Sequence, residues 1–427
     1  MLAASPLIPF KVTFADSNVL PRRRVPSWLV INGRRQMASL AMIKHPAAIV
    51  ALALLTVLPA RAETKGPVTD DNGVVEIPEG EPLMIGSFLA LTGADAALGI
   101  DARRGIEIAL DRIGATYKGH PIEISFEDET CSPEGGQTAA TRLASNDQLV
   151  AILGPSCSGA ARAGVPILWQ HKFPVVGVGP TSPTLTDPAR GPDFDGFVRV
   201  SFNDNATGKF AASYALKGAK TAATLHDGST YGQQIVRTFE AEFKAQGGTI
   251  VAEEAIGPTD TDLRPVLTRI GTKKPDLLFA PLYVAAGAYL VRQREEVDGL
   301  KNTKLLATDP IMAPAFMTAA GKASVDVKMV GIDFRPETLG PAYQKFVETY
   351  KSKYGEAPIA GFHAYGYDAL GVLMAAIDKV AVEKDGELFI GRDALNKAIH
   401  ATAGYEGLTG KLTCDHLGDC ASPVYAV

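Results

Sequence analysis

A chain of 427 residues with 46% hydrophobic and 21% charged residues can bury a large core, and its length predicts two domains. This composition excludes an intrinsically disordered chain, which would be poor in apolar residues. The formal net charge is −5, and it falls to −12 when the basic first 62 residues are set aside, which argues against a nucleic-acid partner.

The first 62 residues are basic and end like a secretory signal. They hold eight of the 42 Lys and Arg residues but one of the 47 acids. A basic start at 37–44 precedes an apolar run at 47–58 and the sequence Ala60-Arg61-Ala62, a pattern typical of a cleavable signal peptide. The apolar run is shorter than the roughly 20 residues that a membrane-spanning helix needs.

We therefore interpret 37–62 as a signal peptide and 1–36 as an extension that precedes the true start at Met37 or Met42. The mature protein is expected to begin at Glu63. Because no Cys follows the cleavage site closely, we expect a soluble periplasmic protein without a lipid anchor.

From Pro82 onwards, short apolar runs alternate with amphipathic stretches, which is typical of strand-helix-strand units and of parallel sheets covered on both faces. Nine such strands are better housed in two sheets than in one, with a crossing near 202–205. Helices are predicted at 100–113, 341–353 and 362–382, and closing strands at 408–413 and 421–427. The nine predicted strands are 83–89, 122–127, 149–153, 174–178, 221–225, 249–253, 277–282, 304–307 and 327–332.

The stretch 149–183 predicts a ligand site. A buried strand at 149–153 ends at Gly154-Pro155, and the following Ser and Gly residues begin a helix whose free N–H groups attract anions. The next strand delivers Thr181 and Ser182 to the same sheet edge. Two adjacent strand ends form a crevice of the kind in which open α/β sheets bind ligands.

All four cysteines lie in the exported part, where disulfides are expected. Four cysteines allow three pairings. Cys414 and Cys420 enclose five residues, which is typical of a turn closed by its own bridge, and this pairing leaves Cys131 with Cys157. A metal site is the alternative, but the chain has no CxxC motif and no paired His.

The sequence argues against an enzyme. Gly154-Pro-Ser156-Cys-Ser158 resembles the G-x-S-x-G nucleophile motif, but its last position is Ser, where close packing requires Gly. The His residues are scattered, and there is neither a P-loop nor a G-x-G-x-x-G motif. No catalytic residue, cofactor or metal is therefore predicted.

Residues suited to binding do follow several strands. Ser158 and Thr181 offer hydroxyl groups to an anion, Asp309 offers a carboxylate to a cation, and Tyr231 and Tyr283 offer aromatic walls. Each residue type alone is more often structural, but together at the carboxyl ends of strands they predict a binding site.

The order of these features resembles the periplasmic branched-chain amino-acid binding proteins of ABC importers, the leucine/isoleucine/valine-binding type with the type I periplasmic-binding fold. The resemblance runs from about 83 to 418. Its anchors are Leu91-Thr-Gly93, Gly99, Gly105, Asp128-Glu-Thr-Cys131, Gly154-Pro-Ser-Cys-Ser158, Thr181-Ser-Pro-Thr-Leu185, His226-Asp-Gly-Ser-Thr-Tyr-Gly232, Pro275-Asp276, Ala364-Tyr-Gly-Tyr-Asp368 and Gly407-Leu-Thr-Gly410.

The resemblance implies roles for individual residues. Ser158, the backbone of Gly179 and Thr181 match the groups that hold the ligand carboxylate, and Asp309 falls where the family places an acid for the ammonium. Tyr231 and Tyr283 match pocket aromatics, while Leu98 replaces a frequent aromatic residue. Asp204, at the interlobe crossing, is carried over as a further ligand-binding residue. Cys131 and Cys157 match the family's disulfide.

The resemblance implies two Rossmann-like lobes that are joined by several hinge crossovers. The first lobe is expected at about 80–203 with 337–407, and the second at about 204–336 with 408–427. The protein is expected to be a monomer that captures an α-amino acid by hinge closure and delivers it to an ABC permease with its ATPase subunits. The alternatives are the same fold binding an amide, urea or an aromatic acid, or a sensor that signals closure to another protein.

Overall fold

The computed structural model describes residues 62–427. The predicted signal peptide and the extension before it lie outside these residues apart from Ala62. The strands are β1 (Glu63–Lys65), β2 (Val68–Asp70), β3 (Val74–Ile77), β4 (Leu83–Leu89), β5 (Thr116–Tyr117), β6 (His120–Asp128), β7 (Leu149–Leu153), β8 (Val175–Gly177), β9 (Phe197–Arg199), β10 (Thr221–His226), β11 (Thr249–Ala255), β12 (Leu277–Phe279), β13 (Lys304–Thr308), β14 (Lys328–Ile332), β15 (Val382–Lys384), β16 (Glu387–Gly391), β17 (Tyr405–Gly407), β18 (Gly410–Leu412) and β19 (Tyr425–Ala426).

The α-helices are amphipathic stretches that cover the sheets. They are α1 (Ala96–Arg112), α2 (Pro133–Ala144), α3 (Ser158–Gln170), α4 (Asp204–Ala215), α5 (Thr230–Ala245), α6 (Arg264–Thr272), α7 (Val284–Arg294), α8 (Pro314–Ala320), α9 (Pro336–Leu339), α10 (Pro341–Tyr354), α11 (His363–Val380) and α12 (Arg392–His400).

The first lobe is built on a six-stranded sheet in the order β5-β6-β4-β7-β8-β9, parallel except for β5. All five residues of β7 are buried, as a continuous apolar strand covered on both faces must be. One core cluster joins the sheet to α1 and α11, and another joins it to α2 and α3. Helices therefore cover both faces, as the sequence predicts.

The second lobe is built on a sheet in the order β11-β10-β12-β13-β14-β19, in which β19 alone is antiparallel. Its core clusters bring apolar residues of α5, α6 and α7 against the strands. The predicted α/β architecture of two parallel-sheet lobes is confirmed.

The chain crosses between the sheets after β9, after β14 and before β19. Residues that follow β7, β8 and β13 line one cavity, so the carboxyl ends of both sheets face the same cleft. No helix within 62–427 combines the length and the apolar character needed to cross a membrane.

The return to the second sheet occurs later than the expected boundary at 408. Strands β17 and β18 form a hairpin with each other, and Leu408 and Leu412 are buried in the core cluster of the first lobe. The Asp368 carboxylate of α11 accepts hydrogen bonds from the N–H groups of Leu408 at 2.7 Å and Thr409 at 2.9 Å, which holds the hairpin on that lobe. Only β19 pairs with the second sheet.

The segment 63–77 forms three short strands that the sequence did not predict. Strand β3 pairs antiparallel with β16 in a small sheet beside the first lobe. The buried Asp70 carboxylate accepts hydrogen bonds from the N–H groups of Asp393 and Ala394, both at 3.0 Å, and so caps α12. These contacts attach the segment to the C-terminal part of the chain.

Candidate functional site

A cavity lies between the lobes at the carboxyl ends of the two sheets. The side chains nearly fill it, because the free space that remains is about 10 Å³, close to the least that a single water molecule requires. Of the predicted ligand-binding residues, all except Asp204 line it, and Asp204 lies behind Thr181. The lining residues are Leu98, Ser156, Ser158, Gly179, Thr181, Tyr231, Tyr283, Asp309, Pro310 and Phe362.

The N-terminus of α3 forms one wall. The first hydrogen bond within this helix runs from Ala161 N to Cys157 O, so the preceding N–H groups of the helix make no such bond. The Ser158 hydroxyl oxygen accepts from Thr181 N at 3.2 Å and Ser182 N at 3.1 Å. Because these bonds occupy its lone pairs, the Ser158 hydroxyl hydrogen is the part of the group free to bind a ligand.

Thr181 connects the cavity to the crossing between the lobes. Its hydroxyl group donates to Asp204 Oδ2 at 2.7 Å, and its carbonyl accepts from Asp204 N at 3.0 Å. Burial raises the pKa of Asp204 to about 7. When Asp204 is ionised, the Thr181 hydroxyl hydrogen is held by the carboxylate, and its oxygen remains as an acceptor.

Asp309 follows β13 on the opposite side of the cavity. Its Oδ1 atom is buried and has no hydrogen-bond partner among residues 62–427. Burial, with a smaller contribution from the negative charge of Asp204, raises the pKa of Asp309 to about 8. An unpaired buried carboxylate is costly, so this arrangement favours a cationic partner or a bound proton.

Apolar and aromatic side chains form the remaining walls. The Tyr231 and Tyr283 rings lie 5.3 Å apart between centroids, and the Tyr231 hydroxyl is 2.6 Å from Thr308 Oγ1. Leu98 and Phe362 are both buried and approach from the first lobe. Phe362 directly precedes α11, next to the Ala364-Tyr-Gly-Tyr motif, and it was not among the predicted site residues.

Glu129 is a further acidic residue at the site, and its role was not predicted from the sequence. It is fully buried, and its Oε1 atom accepts from Ser156 N at 3.1 Å and Cys157 N at 3.0 Å. Burial raises the pKa of the Glu129 carboxyl well above its ordinary value. A neutral Glu129 beneath α3 would leave that helix end able to attract an anion.

One hydrogen bond crosses the cleft beside the cavity. Asp95 precedes α1 of the first lobe, and its Oδ1 atom accepts from Val284 N at the start of α7 in the second lobe at 3.2 Å. The Asp95 side chain makes no capping bond to its own helix. Burial raises its pKa to about 6, with a smaller contribution from Asp227.

The structure contains both of the predicted disulfides. The Cys131–Cys157 bridge links the segment after β6 to the residue that precedes α3, and it thus lies at the anion-attracting wall. The Cys414–Cys420 bridge closes a loop after β18. The described residues contain no group of three or more His, Cys, Asp or Glu placed to hold a metal ion.

Comparisons with known proteins match most of the chain to one family. A family described as periplasmic binding protein matches residues 82–427. Leu/Ile/Val-binding protein homolog 3 of Brucella melitensis is 26% identical over 358 residues, which cover 81% of this chain and 90% of that protein.

Two crystal structures extend the comparison to three dimensions. A leucine binding protein, LivK, from Thermotoga maritima matches with a TM-score of 0.70 at 28% identity, over 79% of this chain and 93% of that chain. A solute binding protein of an ABC transporter from Rhodopseudomonas palustris, in complex with 3,4-dihydroxy benzoic acid, matches with a TM-score of 0.66 at 25% identity, over 80% of this chain and 91% of that chain.

Proposed function

Because this chain belongs to the periplasmic binding protein family, and is a solute-binding protein of the ABC-transporter type, we propose that it captures a zwitterionic α-amino acid with an apolar side chain. The observation that carries this proposal is the buried Asp309 Oδ1, which has no partner among 62–427 and shares the cavity with the N-terminus of α3. The two walls match an ammonium and a carboxylate at a fixed separation.

The ligand carboxylate would bind at α3. The Ser158 hydroxyl hydrogen and the first N–H groups of the helix are suited to an anion. Burial raises the pKa of Glu129, which favours its uncharged form and reduces its repulsion of the ligand carboxylate.

The ligand ammonium would lie between Asp309 and Thr181. Thr181 differs here from the role implied by the resemblance, because its hydroxyl hydrogen bonds to Asp204 and its oxygen is an acceptor, which suits a cation better than a carboxylate. Asp204 would then act by orienting Thr181 rather than by touching the ligand.

The ligand side chain would pack against Leu98, Phe362 and the two tyrosines. These walls offer no charged group of their own, which favours an aliphatic side chain of modest size. The Brucella and Thermotoga relatives are named as Leu/Ile/Val-binding and leucine-binding proteins, in agreement with this chemistry.

The biological setting forms part of the same proposal. The signal sequence at 37–62 would export the chain to the periplasm, and closure of the lobes around the ligand would create the surface that an ABC permease recognises. The permease and its ATPase subunits would be the partners.

An aromatic carboxylic acid is the second candidate ligand. The Rhodopseudomonas relative was solved with 3,4-dihydroxy benzoic acid. The pKa of Asp309, raised to about 8, also allows a protonated Asp309 to hydrogen-bond a neutral hydroxyl group. Such a ligand would bind through its carboxylate at the N-terminus of α3 and would bring no ammonium group to Asp309.

Isothermal titration calorimetry on the protein beginning at Glu63 separates the two candidates. We expect L-leucine to bind at least tenfold more tightly than 4-methylpentanoate, which has the same carboxylate and side chain but no ammonium. Equal affinities, or binding of 3,4-dihydroxybenzoate alone, would overturn the amino-acid assignment.

A further inference from the structure

We propose that Asp419, carried by the loop that Cys414 and Cys420 close, is a positioning residue for the ligand site. It acts on Arg199, and Arg199 in turn holds the turn 180–182 that presents Thr181 to the cavity. The expected change in ligand affinity rests on the proposed function, whereas the expected change in amide hydrogen exchange does not.

Arg199 ends β9 and is completely buried. Its Nη1 atom donates to Pro180 O at 3.1 Å and Ser182 O at 2.8 Å, so that one guanidinium nitrogen holds the carbonyl groups on either side of Thr181. Its Nη2 atom donates to Thr186 Oγ1 at 2.7 Å. The guanidinium group therefore fixes the shape of the turn from behind the cavity.

Asp419 supplies the negative charge that offsets the cost of burying the Arg199 guanidinium group. Its Oδ1 atom accepts from Arg199 Nε at 2.6 Å, the one ion pair that Arg199 makes among residues 62–427. Its Oδ2 atom accepts from Thr186 Oγ1 at 3.1 Å and from Asn203 Nδ2 at 2.7 Å. A buried guanidinium without this carboxylate would lose its neutralising partner.

The disulfide-closed loop places Asp419 beside β9. The loop pairs with the strand through Arg199 N to Gly418 O at 2.8 Å and Cys420 N to Arg199 O at 3.1 Å. Gly418 has φ +93°, and an added Cβ there would lie 2.5 Å from Phe197 O, so glycine is required for this approach. The loop is thereby inserted against the strand rather than lying free in solvent.

The same residues touch two of the crossings between the lobes. Asn203 precedes α4, where the chain enters the second lobe, and Cys420 precedes the segment that returns to β19. Because Asp419 bonds to Asn203 and Arg199 together, it connects the crossings to the turn at Thr181. The loop is therefore placed to set both the geometry of the site and the position of the hinge.

The test compares Asp419→Asn with the double variant Cys414→Ser/Cys420→Ser and with the combination of all three changes. Two quantities are measured: the Kd for L-leucine by calorimetry, and amide hydrogen exchange of the ligand-free protein over 178–186. We expect Asp419→Asn to weaken L-leucine binding about tenfold or more, as loss of a charge-assisted bond does. Exchange should accelerate over 178–186 and stay unchanged in β12 and β13.

The variant with all three substitutions should bind L-leucine about as weakly as Asp419→Asn alone. Opening the loop and removing the charge both act through the Asp419–Arg199 contact, so their effects are not additive. Glu254→Gln is the matched control, since it removes a carboxylate that pairs with Arg269 on the surface of the second lobe, and it should leave both readouts unchanged. If Asp419→Asn does not fold, Thr186→Val removes one of the same bonds and should accelerate the same exchange.

Unchanged exchange over 178–186 in a folded Asp419→Asn protein would overturn the proposal. Fully multiplicative losses of affinity in the combined variant would also overturn it. If the wild-type protein does not bind L-leucine, the proposed function fails, and the hydrogen-exchange comparison still decides the role of Asp419.

Discussion

At the scale of single residues, three acidic side chains lie in the cavity wall or directly behind it, and the lining residues do not neutralise them. Asp309, Asp204 and Glu129 each have one buried carboxyl oxygen without a hydrogen-bond partner within the described residues. Burial raises the pKa of all three. They differ in their access to a ligand, because Asp309 lines the cavity whereas Asp204 lies behind Thr181 and Glu129 lies behind the start of α3.

Replacing Asp309 with Asn tests the ammonium assignment. We expect L-leucine to bind tenfold to a hundredfold more weakly, since a charge-assisted hydrogen bond contributes roughly 1.5–3 kcal/mol. Affinity for 4-methylpentanoate should change little or improve. Calorimetry with both compounds measures this, and an unchanged Kd for L-leucine would show that Asp309 does not contact the ammonium.

The pH dependence of binding follows from the same carboxyl. In the ligand-free protein the pKa of Asp309 is about 8, and a bound ammonium would lower it because the positive charge favours the ionised form. Below pH 8, binding must then release a proton, so the association constant should rise from pH 6 to pH 8, by at most about tenfold per pH unit for one proton.

Calorimetry in buffers of different ionisation enthalpy measures the released proton directly. Asp204, with a pKa of about 7, would add to the slope in the same direction. Asp309→Asn should flatten most of the profile. An affinity that falls as the pH rises is the behaviour of a ligand that requires a protonated Asp309, such as an acid whose neutral hydroxyl group bonds to it, and it would favour the aromatic-acid candidate.

At the scale of elements, the contact between α1 and α11 holds Leu98 and Phe362 in place. Backbones approach closely there, because an added Cβ on Gly105 would lie 1.9 Å from His363 O and one on Gly366 would lie 2.1 Å from Ala102 O. The buried Asp101 carboxylate also accepts from Phe362 N at 2.9 Å and His363 N at 2.8 Å.

Gly105→Ala should therefore lower the free energy of unfolding by about 1–3 kcal/mol or more, because overpacking outweighs the gain in helix propensity. Gly159→Ala in α3 is the matched control. Its added Cβ would meet Pro133 at 3.5 Å, an ordinary contact, so this change should be neutral or stabilise by up to about 1 kcal/mol. Urea unfolding followed by circular dichroism measures both, and equal effects would contradict the close-approach argument.

At the scale of the whole molecule, the two lobes meet across the cleft through the Asp95–Val284 hydrogen bond. A contact made only when the lobes are closed should slow ligand release more than it affects capture. We expect Asp95→Ala to speed L-leucine dissociation about tenfold, with a nearly unchanged association rate.

Stopped-flow fluorescence measures both rate constants. Asp111→Ala is the control on the same helix, because Asp111 pairs with Lys353 at the surface of one lobe and makes no contact across the cleft. A slower association in Asp95→Ala with an unchanged dissociation rate would mean that the bond does not hold the closed form.

Elements with a local sequence signal could be predicted before the structure was known. The nine predicted strands correspond to β4 and β6–β14 without β9, because each is a short apolar run bounded by turn residues. The two disulfides followed from the short spacing of Cys414 and Cys420 and from the pair that remained. Strand order brought Ser158 and Thr181 to one sheet edge, since parallel strands end at the same edge, and the family resemblance assigned Asp309 to the same site.

Features that depend on partners far away in the sequence could not be predicted in this way. Strands β1–β3 are short and pair with one another or with residues more than 300 positions away, and no local periodicity marks such pairing. The hairpin at 405–412 lies on the first lobe because Asp368 binds it. Asp204 was predicted to bind the ligand, and Glu129 was given no role of its own. Their positions behind Thr181 and behind the start of α3 arise from burial in the assembled fold, which no local pattern indicates.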